Sequence, residues 1–161
     1  MTQYETCREW LESYRELHAE VRRLRAKHQA LMDQAASITA RLSPTPGGGS
    51  GSGDHEQLLA ALADADAETS AALRRAEQRA VQIKNFITRI PDSTSRAVLR
   101  TRYLTMLSWT EIQRELARSG MDYSKDHLYK LHKKALDEAE PRWLHLLNSP
   151  KNVNKNTRED E

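Results

Sequence analysis

Lys125, Asp126, Tyr129, Lys130, Lys133 and Lys134 crowd into ten residues of the chain. At the helical period Asp126, Tyr129, Lys130 and Lys133 fall on one side, with Lys134 on its flank and Lys125 near the first turn. Ammonium groups arrayed this way neutralise phosphates and displace the counterions condensed on a nucleic acid, while Lys, Asp and Tyr side chains reach base edges. The surrounding segment is biased in the same direction. From Arg96 to Lys134 there are nine Lys and Arg against four acids (Glu111, Glu115, Asp122, Asp126), an excess of five positive charges. A solvated helix face would also carry charge, but this imbalance on the last of three capped pieces reads as a phosphate-binding footprint. The expected base contacts are Lys125, Asp126, Tyr129 and Lys130. The expected phosphate contacts are Arg96, Arg100, Arg102, Lys133 and Lys134.

Such a face needs elements that present it. Three helical pieces are legible, beginning at Ser95, Ser108 and Ser124, each with a hydroxyl residue able to cap its first turn. Ser108 and Glu111 have capping-box spacing, and Gly120 can take the positive φ that ends a helix. In the third piece Leu128, Leu131, Ala135 and Leu136 form an apolar stripe, which would pack on Val98, Leu99, Ile112 and Leu116. This is the pattern of a helix-turn-helix whose last helix enters the major groove of DNA. The segment from about Ile83 to Leu147 is expected to fold by itself.

The run Arg102-Tyr103-Leu104, Ser108-Trp109-Thr110-Glu111-Ile112, Tyr123-Ser124 and Leu128-Tyr129-Lys130-Leu131-His132-Lys133-Lys134-Ala135-Leu136 resembles region 4 of sigma-70-type factors. It is more similar still to the region-4-like phage regulators grouped as RinA or ArpU late transcriptional activators. The resemblance covers roughly the last third of the chain. It implies that Trp109 to Ala117 is a supporting helix, that Ser124 to Glu140 is a recognition helix, and that the protein acts at a promoter with RNA polymerase as a partner. The connection Arg118 to Tyr123 is longer than the usual three or four residues.

Upstream, the hydrophobic pattern changes. Trp10, Tyr14, Leu17, Val21, Leu24, His28, Leu31, Ala35, Ile38 and Leu42 alternate at spacings of four and three, a heptad seam in residues 1–46. Pro44 and Pro46 stop this helix, and residues 47–53 read as a flexible Gly/Ser linker. A second long helix in residues 54–91 carries the seam Leu62, Asp66, Thr69, Leu73, Ala76, Ala80, Ile83, Ile87 and Ile90 and stops at Pro91. The two are expected to fold back as a coiled-coil-like hairpin, with Leu17, Val21, Leu24, Leu31 and Ile38 as an oligomerisation seam that favours a dimer. The expected fold class is therefore all-α: a long helical hairpin followed by a three-helix helix-turn-helix unit in residues 92–147. A turn at Trp143 to Leu147 follows Pro141, and residues 148–161 form a disordered tail.

The composition of the 161 residues fits this reading. Only 38% are hydrophobic and 6% aromatic while 30% are charged, which suits extended helices with narrow apolar seams, and the net charge of +2 leaves nucleic-acid binding to local segregation. One cysteine, Cys7, excludes an intrachain disulfide and a multi-cysteine zinc site. None of the six histidines has metal-ligand spacing, no phosphate-cradling glycine motif occurs, and no stretch is long and apolar enough to span a membrane. No metal, cofactor or enzymatic activity is expected. The expected place is the cytoplasm, that of a bacterial host if the gene is phage-borne. Double-stranded DNA is the expected partner. Two other readings join the same parts differently: a phage small terminase subunit that recognises DNA for packaging, and a structural coiled-coil adaptor.

Overall fold

The computed structural model describes residues 4–41 and 52–149, and these are all-helical, without a strand. The order is α1 (Cys7–Arg41), α2 (Ser52–Thr88), α3 (Ser93–Leu99), a π-helical stretch (Arg100–Leu104), α4 (Trp109–Arg118) and α5 (Lys125–Leu147). The all-α class and the long N-terminal helix pair are as expected. Of the expected linker, Ser52 and Gly53 belong to α2 and the remainder lies outside the described residues, as do Leu42, Pro44 and Pro46. In the expected tail, Asn148 caps α5, while residues 150–161 lie outside the described residues.

Two compact units divide these elements, residues 16–78 on one side and residues 1–15 with 79–161 on the other. In the first, α1 and α2 run antiparallel, with Lys27 opposite Glu68 at 3.8 Å and Glu20 opposite Arg75 at 3.3 Å. Val21, Leu24, Leu58, Ala65, Ala72 and Ala76 are buried between them. The α1 seam from Leu17 to Ile38 falls where the heptads place it, with Leu17, His28, Leu31, Ala35 and Ile38 half-buried. The α2 seam needs correcting. Asp66 is exposed and Leu73 only half-buried, because Ala65 and Ala72, one residue earlier, face α1. Alanine lets the backbones approach closely, and a carboxylate in that position would be desolvated without a partner.

The second unit has two adjoining cores. Cys7, Leu11, Ile83, Phe86, Ile87, Ile90, Leu99, Tyr103, Ala135, Ala139 and Trp143 make the larger; Val98, Ile112, Leu116 and Leu128 make the smaller. The first turn of α1 thus belongs with the C-terminal helices. Its Cys7 amide donates to Glu140 Oε2 of α5 at 2.9 Å, which satisfies one of the donors that a helix start leaves open. At an α2 position where the small-residue pattern suggests Ala80, Arg79 enters the seam instead: its guanidinium donates to Ser13 and lies 5.1 Å from the Tyr4 ring centroid.

Two expectations for the last helices are revised. The first short helix is capped by Asp92, whose carboxylate accepts from the Ser95 amide and hydroxyl, both at 2.8 Å; Ser95 is a buried third residue and not the cap. Helix α5 runs through Pro141 to Leu147, against the expected break there. Proline removes one intrahelical bond, to the carbonyl four residues back, but Pro141 and Asp137 both face solvent and water can take that carbonyl. Continuity places Ala139 and Trp143 in the larger core on the same stripe as Leu128 and Ala135.

Candidate nucleic-acid interface

The supporting helix α4 is fixed at both ends by its own sequence. Ser108 accepts from the Glu111 amide while Glu111 Oε2 accepts from the Ser108 hydroxyl at 2.6 Å and the Ser108 amide at 2.8 Å, and those two bonds to the carboxylate, the hydroxyl's first, hold the Glu111 carboxyl below its ordinary pKa. At the other end Gly120 adopts φ +83°, so that its amide reaches Ala117 O at 3.1 Å and the Met121 amide reaches Leu116 O at 2.9 Å. This paired closure is a Schellman motif. The long connection that follows is itself tied down. Gln113 Nε2 donates to Tyr123 O at 2.8 Å, Met121 and Tyr123 pack on the smaller core, and Ser124 caps α5 through the His127 amide at 3.2 Å.

Helix α5 presents Lys125, Asp126, Tyr129, Lys130, Lys133 and Lys134 on its exposed side, opposite the buried Leu128, Ala135 and Ala139. None of the four lysines is ion-paired with a described residue; Lys134 lies near enough to Asp92 to lower its pKa slightly, after the larger effect of Ser95. The expected base-contact set and two of the five expected phosphate contacts are therefore brought together on one helix face. Arg100 is also exposed, on the π-helical stretch.

Arg96 and Arg102 are placed differently from expectation. Arg96 Nη1 donates to Ile90 O at 2.6 Å and Pro91 O at 2.7 Å, occupying carbonyls left open beyond the end of α2. Arg102 Nη1 donates to Leu107 O at 3.1 Å, and its guanidinium stacks 4.8 Å from the Trp109 ring centroid. Both are half-buried, and both tie turns together instead of standing free.

Charge counting alone does not find what supports the face. Trp109 meets Tyr129 edge-on at 4.9 Å and His132 at 5.0 Å, and the Tyr103 hydroxyl lies 2.8 Å from His132 Nε2. Burial, with Arg8 and Arg102 nearby, pulls His132 down to about 4, and burial pushes Tyr103 up to about 12. At neutral pH a protonated phenol and an uncharged imidazole therefore share this hydrogen bond. Tyr129, 46% exposed, leaves this cluster with one face on Trp109 and its remainder outward. The signal in the sequence was the set Tyr103, Trp109, Tyr129 and His132, whose partnership depends on packing between separate helices.

Among the described residues no group of three or more His, Cys, Asp or Glu side chains could hold a metal, and no helix is long and apolar enough to cross a membrane. Cys7 is buried, and burial with Glu140 beside it raises its thiol to about 12. Compared with known proteins, the chain matches no protein-family model, no curated protein and no solved structure.

Proposed function

We propose that this protein binds double-stranded DNA sequence-specifically through α5 and serves as a transcriptional regulator of the sigma-region-4-like phage type, in the cytoplasm of a bacterial cell. The observation that carries this reading is the exposed side of α5. Lys125, Lys130, Lys133 and Lys134 stand there without ion-pair partners among the described residues, on a helix held by a capped and glycine-closed α4. A major groove admits one such helix, and the cations on its rim meet the phosphates that border the groove. The resemblance of Arg102 to Leu136 to sigma region 4 adds the promoter as the place of action and RNA polymerase as a second partner, while the two-fold pairing common among helix-turn-helix readers of DNA suggests a homodimer as the binding unit.

The test is selection of bound fragments from a random duplex library, followed by titration of the selected and a scrambled duplex at several salt concentrations. Sequence-specific binding is expected to exceed non-specific binding by about a thousandfold or more, and log affinity to fall linearly with log salt. Absence of salt-sensitive binding, or equal affinity for both duplexes, rejects the reading.

A further inference from the structure

The hairpin made by residues 16–41 and 52–78 has two unlike faces. Relative to the buried Val21 and Leu24, the helical period puts Glu20 and Lys27 on one flank of α1 and Arg22, Arg25 and Met32 on the other. Relative to Ala65 and Ala72, it puts Glu68 and Arg75 on one flank of α2 and Leu59, Leu62, Asp66, Leu73 and Glu77 on the other. The first flanks meet within the chain through the pairs Lys27–Glu68 and Arg75–Glu20. The second flanks are left open. There Met32 is 47% and Leu59 50% exposed, Leu62 and Leu73 are half-buried, and Arg22, Arg25, Asp66 and Glu77 make no ion pair with a described residue.

We infer that this open face binds a second copy of the chain about a two-fold axis parallel to the helices, forming an antiparallel four-helix bundle. Such an axis preserves height along the bundle and exchanges the helices, so α1 of one copy lies on α2 of the other. The intrachain pairs fix the levels: Glu20 stands opposite Arg75 and Lys27 opposite Glu68. By the same register Arg25 comes level with Ser70 on the other copy, about a turn from Asp66, and Arg22 comes level with Leu73, about a turn from Glu77. Met32 comes level with Ala63, one residue from Leu62 and about a turn from Leu59. Basic residues on α1 thus meet acidic ones on α2, apolar meets apolar, and the arrangement repeats itself through the axis. The thin alanine seam between α1 and α2 explains why a second layer is needed, since two helices alone bury little apolar area. The inference supplies the homodimer that the proposed DNA reading uses, but its test does not involve DNA.

Sedimentation of the full chain is expected to give a particle of twice the 18.4 kDa chain mass. Arg25→Glu and Asp66→Lys should each weaken the dimer by about tenfold, because the symmetry breaks two contacts at once. The two changes combined in one chain, or an equimolar mixture of the two single variants, should restore it. Met32→Glu should also dissociate the dimer while leaving the helical signal unchanged, since that side chain is half-exposed in the hairpin. A chain that is monomeric at tens of micromolar, a ring of eight or more, failure of restoration with folding intact, or a dimer indifferent to Met32→Glu overturns the inference.

Discussion

Lys130 and Lys133 sit three residues apart on the same exposed side of α5 but are assigned different partners under the DNA reading. Lys130, near the middle of the exposed stripe, reaches base edges; Lys133, further along, reaches a phosphate. Lys130→Ala is accordingly expected to cost about 1 to 3 kcal/mol on the selected duplex and much less on a scrambled one. Lys133→Ala should weaken both about equally and reduce the magnitude of the log-affinity against log-salt slope by roughly 0.9. A titration in which Lys130→Ala lowers both affinities alike removes it from base reading. His132, behind the same face, bears on stability instead. Its ordinary value is 6.5, and burial first, then Arg8 and Arg102, lowers it to about 4 in the fold. The unfolded chain therefore takes up the proton first as pH falls, so stability is fully present above about 6.5 and declines toward 4. Solvent still reaches the ring, and the loss is expected to be roughly 1 to 2 kcal/mol. Melting of the native chain and of His132→Gln between pH 7 and 4.5 checks this: the native chain should show the steeper decline, and parallel curves would mean that His132 takes up its proton alike in both states.

At the scale of elements, the turn between α4 and α5 offers the cleanest measurement. Gly120 has φ +83° with no atom within 4 Å of where a Cβ would stand, so Gly120→Ala meets no clash and costs only the left-handed conformation. The expected loss is about 1 kcal/mol in unfolding by denaturant, with the midpoint shifted and the slope unchanged. An Ala variant as stable as the native chain would show that this turn relaxes freely. Gly120, Ser108 with Glu111, and Ser124 were all legible in the sequence, because capping depends on residues within a few positions of one another. The start of α3 was misread by three residues for a related reason: Asp92 and Ser95 are both good caps, and the choice fell to Asp92 once Pro91 ended the preceding segment. The π-helical stretch was not legible at all. Its Thr105 amide bonds to Arg100 O at 3.2 Å, five residues back, and Tyr103 becomes buried while Leu104 stays half-exposed. Spacing rules built on 3.6 residues per turn cannot register that widening. Burial along α1 from Leu17 to Ile38 follows the heptad phase because its large apolar residues leave one phase, although the proposed dimer uses another flank of α1 and not this expected oligomerisation seam; alanines along α2 leave the choice between Ala65 and Asp66 to packing.

For the whole molecule, the boundary most natural in the sequence is not the boundary of the fold. The segment from about Ile83 to Leu147 looks self-contained, but the larger core that holds its Ile83, Phe86, Ile87 and Ile90 also takes Cys7 and Leu11 from the beginning of the chain. Trp10 meets Phe86 edge-on at 5.3 Å, and Glu140 accepts the Cys7 amide. Sequence separation of more than 130 residues hides such contacts, since nothing local in either partner announces the other. The consequence is measurable without reference to function. A fragment of residues 83–147 would lose Cys7 and Leu11 from the larger core and would leave Glu140 without its amide partner. It should be less helical than the same residues in the full chain and should melt over a broader range, short of a cooperative fold. Leu11→Asp in the full chain makes the same point from the other end. Leu11 is fully buried, and a carboxylate there is desolvated without a counter-ion, which should cost several kcal/mol and unfold the C-terminal helices although the change lies more than seventy residues before them. The readout is the tryptophan emission, to which Trp10, Trp109 and Trp143 all contribute, together with the helical signal and the thiol of Cys7, which burial keeps unreactive toward alkylating agents in the native chain. Red-shifted emission, rapid alkylation and loss of helical signal in Leu11→Asp at neutral pH are the expected result; rapid alkylation of Cys7 with the helical signal and cooperative melting retained would show that the C-terminal unit folds without the first helix.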